Sequence, residues 1–214
     1  MIGVAFGWAI LASLRWLFTG KAAGDVWTPD AFSDDVLYGI VFQELLLAPV
    51  AACILYVRGW RVKDFPIGAS AAMTALGFGM AIATSLADSI ISTIAGSLSP
   101  VAQAGREAWD AYRPSTPLGM TAVLTLSLVN PIFEEVFVCA YVIEALRKRF
   151  GETTAINVSV VIRSSYHLYQ GIGALPFHFV YGLMQAYVYV RVGRLWPLIV
   201  SHALLDFLAL ASLL

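Results

Sequence analysis

The sequence predicts an all-α fold, a polytopic membrane bundle of about seven transmembrane helices with a polar intramembrane cavity, and three observations predict it. Hydrophobic residues make up 59% of the 214 and charged residues only 13%, with a mean hydropathy of +0.78. Soluble proteins are about 25% charged, so the missing charge decides the class. Apolar runs of about 20 residues, the length that crosses a bilayer, recur along the chain. Finally, Lys and Arg gather after alternate runs, as the cytoplasmic bias of basic residues requires.

The runs lie near 2–18, 36–57, 70–97, 117–146, 153–170, 174–190 and 195–214. The first begins at Ile2 with no Lys or Arg before it, which favours a retained helix over a cleaved signal. The connection 19–35 carries Trp27, Pro29, Asp30, Asp34 and Asp35. Arg58, Arg61 and Lys63 follow the second run, Arg147, Lys148 and Arg149 the fourth, and Arg191 and Arg194 the sixth. Only Arg15, Lys21, Arg106 and Arg113 fall at the other ends. The richer side is expected in the cytoplasm, which puts the N-terminus inside and the C-terminus outside. The connection SPVAQAGREAWDAYRPSTP, 98–116, has a short helical pattern with Trp109 and Tyr112 and is expected at the interface. The fifth run stops early at YHLYQGIGALP, where Gly171, Gly173 and Pro176 interrupt it. Broken backbone at membrane depth is tolerated where it lines a wet cavity or is covered by protein. The whole chain reads as one integral-membrane domain, 1–214.

A net charge of -1 without basic blocks gives no sign of a nucleic-acid partner. Cys53 and Cys139 sit within apolar runs and form no CxxC, so neither a disulfide nor a metal pair is expected.

Ionisable residues inside the membrane are functional candidates, because each is costly unless paired or wet. They are Glu44, Asp88, Glu134, Glu135, Arg163, His167, His178, His202 and Asp206. At 1.5 Å per residue, Glu134 lies about 20 Å above Arg147 and His167 about 21 Å above Thr153. Asp206 lies roughly 18 Å above Arg194, and His202 about 12 Å. Three separate helices therefore bring carboxylates and imidazoles to similar depths. Arg163 and His167 share a helix face at i,i+4, as do His202 and Asp206.

Structural readings compete with functional ones. One structural reading makes Glu134 and Glu135 only glue for Arg163, but adjacent carboxylates point about 100° apart and one arginine is expected to serve both poorly. His178, beside the helix break, reads as a core histidine. Glu44 and Asp88 read as interhelix hydrogen-bonding groups. A Cys139–His nucleophile pair is disfavoured, since a thiol beside two carboxylates resists ionising.

FEEVFVCAY, IRSSYHLYQG and HALLD, in that order, resemble the three motifs of the CPBP family, the CAAX proteases and bacteriocin-processing enzymes also called the Abi domain. The likeness covers about 117–208, and RGWRVKDF at 58–65 is similar to that family's early cytoplasmic loop. Two departures stand out. The EExxxR arginine is replaced by Cys139, and the FxxxH phenylalanine by Arg163, so an arginine lost from one helix is restored from the next. Asp206 stands where prenyl endopeptidases have asparagine.

The resemblance implies an intramembrane endopeptidase acting on a membrane-embedded or lipidated protein or peptide. Glu134 and His167 would activate a water, and His202 and Asp206 would stabilise the oxyanion, Asp206 donating only when protonated. Arg163 is expected to hold Glu135 and leave Glu134 as base. The cofactor is none or zinc: Glu134, His167, His202 and Asp206 make a set zinc would accept, and the metal-free mechanism is favoured. The bacterial plasma membrane is the expected location, with the lipid bilayer and a partner protein as further contacts. The rival readings are a non-catalytic relative serving as immunity factor or scaffold, and a coupled transporter, which the lack of repeat symmetry disfavours.

Overall fold

The computed structural model describes residues 1–18, 32–100, 103, 107 and 113–214. Expectations resting on Lys21, Trp27, Pro29, Asp30, Arg106, Trp109 and Tyr112, the interfacial helix among them, lie outside the described residues. Seven helices form the described bundle: α1 (Ile2–Phe18), α2 (Asp34–Val57), α3 (Ala71–Leu98), α4 (Met120–Phe150), α5 (Glu152–Tyr166), α6 (Leu175–Val192) and α7 (Trp196–Ala211). They coincide with the seven expected runs to within a few residues. By length and composition α2, α3 and α4 are sufficient to cross a membrane, while Ile2–Arg15 and Trp196–Ala211 are shorter apolar helices.

Local chemistry sets the helix ends. Ser33 and Ser70 cap α2 and α3 by accepting from the backbone N–H groups of Val36 and Met73, 3.3 and 3.2 Å away. Pro176 and Pro197 occupy the first turns of α6 and α7, where no N–H is missed. Gly193 ends α6 in the left-handed region, at φ 64°. The fifth run breaks as its glycines require: α5 stops at Tyr166, two short 3₁₀ turns (Leu168–Gln170 and Ile172–Ala174) follow, and Gly171 takes φ 91°. His167 therefore lies at the C-cap rather than inside the helix.

Helix α4 is central, packing against α2, α5 and α7, while α3 lies along α7 and α5 along α6. Gly77 permits the α3–α7 approach: a Cβ there would stand 2.7 Å from the Val200 Cβ and 2.8 Å from the Pro197 carbonyl oxygen. Apolar layers bracket the charged residues of α4 and α7. Toward one end lie Leu37, Val123, Leu210 and Leu213; toward the other lie Cys139, Ile143, Leu195 and Leu198. On the outside the pattern inverts. Phe78, Ile82, Leu86, Ile90 and Ile94 recur every four residues along α3 and are all exposed, while its Ser85, Asp88, Ser89 and Ser92 line an open cavity on another face of the helix. Apolar outside and polar inside is the distribution for a protein dissolved in lipid.

One departure from regular helix was not legible in the pattern. From Glu135 to Tyr141, α4 winds as a π-helix that starts at the second glutamate of the pair. Such widened turns leave carbonyls poorly paired; here Ser159 Oγ donates to the Val138 carbonyl over 2.7 Å, fully buried.

Candidate active site

Arg163 is the hub. Its side chain leaves α5 fully buried; Nη2 donates to both carboxylate oxygens of Glu135 at 2.8 Å, and Nη1 to Glu134 Oε2 at 3.1 Å. Adjacent glutamates are thus served by one arginine, against the expectation from regular helix geometry. The planar guanidinium forks to both carboxylates where the α-helical winding gives way to the π-turn. Nη2 also lies 3.8 Å from Cys139 Sγ, so the guanidinium reaches the position where the motif would carry its own arginine. The Tyr181 ring covers it, with Cζ 5.1 Å from the ring centroid.

The two glutamates then diverge. Glu135, wholly buried, accepts additionally from His202 Nδ1 at 2.8 Å and from the Tyr181 hydroxyl at 3.5 Å. Glu134 retains 5% exposure. Its Oε2 accepts from the Tyr166 hydroxyl at 2.5 Å and stands 4.0 Å from His167 Nε2, too far for a direct hydrogen bond. Oε1 is outside these contacts.

His202 bridges the two halves of the site. Its Nδ1 faces Glu135, and its Nε2 faces Asp206 Oδ1 at 3.5 Å, one turn along α7. With a carboxylate at each nitrogen, the ring satisfies both only as a double donor. Asp206 Oδ2 in turn accepts from Asn130 of α4 at 3.2 Å.

His167, His202 and Asp206 line a cavity of about 580 Å³, together with His178, Gln170, Tyr181 and the α3 residues Ser85, Asp88, Ser89 and Ser92. Glu134 and Glu135 stand behind this wall, Glu135 against His202 and Tyr181 and Glu134 against His167. All six residues singled out as site or support (Glu134, Glu135, Arg163, His167, His202 and Asp206) are therefore gathered in one network.

Four neighbours were missed or underrated. Tyr166 touches Glu134 directly; its place on the Arg163 face, at i+3, was the available signal. Tyr181 contacts both Arg163 and Glu135. His178, expected as an ordinary core histidine, stacks on His167 with centroids 4.1 Å apart and planes 5° from parallel. Its Nε2 pairs with Gln170 Oε1 at 2.6 Å. Asp88 lines the cavity and accepts from Ser92 within its own helix, at 2.9 Å, rather than bonding between helices. Glu44, expected in an interhelix hydrogen bond, has a buried Oε2 without a partner among the described residues.

The zinc alternative fits poorly. Both nitrogens of His202 face carboxylates, Glu134 Oε2 turns toward Arg163 and Tyr166, and among the described residues no group of three His, Cys, Asp or Glu side chains is placed to hold one ion.

Residues 116–208 match the family model described as type II CAAX prenyl endopeptidase Rce1-like. No curated protein and no solved structure matches the chain. The matched segment contains α4 through most of α7, and so every charged member of the network around Arg163.

Proposed function

We propose that this chain, whose residues 116–208 belong to the CAAX protease family of intramembrane hydrolases, is an endopeptidase that cleaves a membrane-associated or lipidated polypeptide with a water activated by Glu134 and His167. The observation that carries the reading is the 4.0 Å gap between Glu134 Oε2 and His167 Nε2 at the cavity wall. A water about 2.8 Å from each would bridge them, held where it can be deprotonated.

Glu134 takes one proton from that water as its oxygen attacks the scissile carbonyl carbon. The carbonyl π electrons move onto oxygen, and the oxyanion meets the Nε2–H of His202, which is shared with Asp206. The proton then passes to the leaving nitrogen, the C–N bond breaks, and a carboxyl terminus and an amine separate. Arg163 and Glu135 are positioning residues: Arg163 holds Glu134 in register, and Glu135 fixes the plane of His202 and keeps its Nδ1 protonated. Asp206, where related enzymes carry asparagine, serves by orienting His202.

The chain acts as a single membrane domain with the ends bearing Arg58, Arg147 and Arg191 in the cytoplasm, the orientation favoured by the basic residues. To test the function, membrane fractions of cells expressing the wild-type protein or Glu134→Gln are compared by mapping of new protein N-termini. A set of new N-termini that appears with the wild type and vanishes with Glu134→Gln is expected. Identical sets in both would refute proteolysis.

A further inference from the structure

Far from the network around Arg163, a second pocket of about 590 Å³ opens where α2, α4 and α6 end on the same side of the bundle. Three separate segments build it: Arg58, Gly59, Trp60, Lys63, Asp64 and Pro66 after α2; Glu144, Arg147 and Lys148 in α4; Tyr189 and Gly193 of α6. The segments are locked together. Leu195 and Trp196 donate backbone N–H groups to the carbonyls of Pro66 and Ile67, each at 2.9 Å. Trp60 packs on both Phe65 and Tyr141, with centroids 5.5 and 5.2 Å apart.

The charges of this pocket are unevenly satisfied. Its two acids are occupied within the protein: Asp64 accepts from the Arg61 backbone N–H at 2.8 Å, and Glu144 pairs with Arg147 at 2.7 Å and accepts from the Tyr189 hydroxyl at 3.3 Å. Arg58, Lys63 and Lys148 have no carboxylate within ion-pair distance among the described residues. Three other basic residues at this end are otherwise engaged. Arg61 bonds the carbonyls of Tyr56 and Trp60, Arg149 and Arg191 lie over the rings of Phe150 and Tyr187, and none of the three lines the pocket. Three uncompensated cations from two segments thus converge on a concave site at the end of the bundle, beside Trp60.

We propose that this pocket is a phosphate-binding site, taking the phosphate of an anionic lipid headgroup or a free phosphate group at the membrane surface. A phosphate supplies the acceptor oxygens and negative charge that Arg58, Lys63 and Lys148 lack. The site is independent of the peptidase reading, since none of its residues touches Glu134, His167 or His202.

The test uses the full chain in detergent, titrated with phosphatidylglycerol, phosphatidylcholine or inorganic phosphate and followed by native mass spectrometry and thermal unfolding. Two variants lose equal charge: Lys63→Gln/Lys148→Gln inside the pocket, and Arg149→Gln/Arg191→Gln outside it. Wild type is expected to prefer phosphatidylglycerol over phosphatidylcholine. The pocket pair should weaken that binding roughly thirtyfold, at about 1 kcal/mol for each of the two cations lost, and the outside pair less than about twofold. Lys63→Arg/Lys148→Arg should retain binding, which separates lost charge from lost fold. Competition by inorganic phosphate marks a site open to free phosphate; binding of phosphatidylglycerol alone marks a lipid site. Equal weakening by both Gln pairs, or no preference between the two lipids, would overturn the proposal.

Discussion

Arg163 Nη2 lies 2.8 Å from both carboxylate oxygens of Glu135, with Cys139 Sγ 3.8 Å away. The cation is supplied by α5 and its carboxylate partner by α4. A buried charge stripped of its partner is strongly unfavourable. Arg163→Phe is therefore expected to lower stability by about 3–5 kcal/mol, read as thermal unfolding in detergent. Arg163→Phe/Cys139→Arg, which moves the cation to α4, should recover most of that loss. Failure of the double variant to recover would show that position 139 does not face the carboxylates.

Tyr166 separates positioning from folding. Its hydroxyl donates to Glu134 Oε2 at 2.5 Å, and its ring stacks on Phe6 of α1 at 4.7 Å. Tyr166→Phe keeps the ring and deletes the donor, so stability should fall by only about 1 kcal/mol. Cleavage should fall more, on the order of tenfold in kcat, because the base loses one of the groups that aim it. Equal wild-type rates would exclude a role for the hydroxyl.

Gly77 carries a packing prediction. With a Cβ placed 2.7 Å from Val200 Cβ, Gly77→Val must push α3 off α7 and open the cavity between them. Overpacking of this kind costs about 1–3 kcal/mol, visible as a lower unfolding temperature. Gly79, where a Cβ would meet nothing within 4 Å, is the control: Gly79→Ala should be close to neutral or stabilising. Equal losses at both positions would contradict the close α3–α7 approach.

The bundle was legible because seven apolar runs and the alternation of basic residues encode spans without reference to tertiary contacts. Helical rise alone suggested that Glu134, His167, His202 and Asp206 could meet, and the helix break at Gly171 followed from backbone freedom. What escaped was tertiary. The π-turn after Glu134 leaves no mark on hydrophobic periodicity, so the fork of Arg163 across both glutamates was not expected. Tyr166 and Tyr181 looked like ordinary aromatic residues in apolar helices, and only their hydroxyl partners distinguish them. His178 and Asp88 were read as structural because no spacing rule links them to the motif helices. The cavity that unites them lies between α3, α6 and α7, which are distant in sequence.

The poor fit of the site to zinc has a direct consequence. Once a cleaved substrate is available, incubation with a strong zinc chelator should leave its rate within about twofold, since the proposed proton transfers use side chains alone. Loss of activity on chelation and its return with added zinc would contradict a metal-free mechanism and require His202 to exchange its carboxylate partners for a metal.

The most direct measurement is the single-turnover cleavage rate of a substrate in lipid nanodiscs, compared among wild type, Glu134→Gln, Glu135→Gln and His167→Ala, each with its unfolding temperature. Glu134→Gln and His167→Ala should fold normally and lose at least about 10²-fold in rate, the scale of a general base. Glu135→Gln should show its defect first in unfolding temperature, as the loss of the buried partner of Arg163. A Glu134→Gln protein that folds and cleaves at the wild-type rate would contradict the assignment of Glu134 as the base.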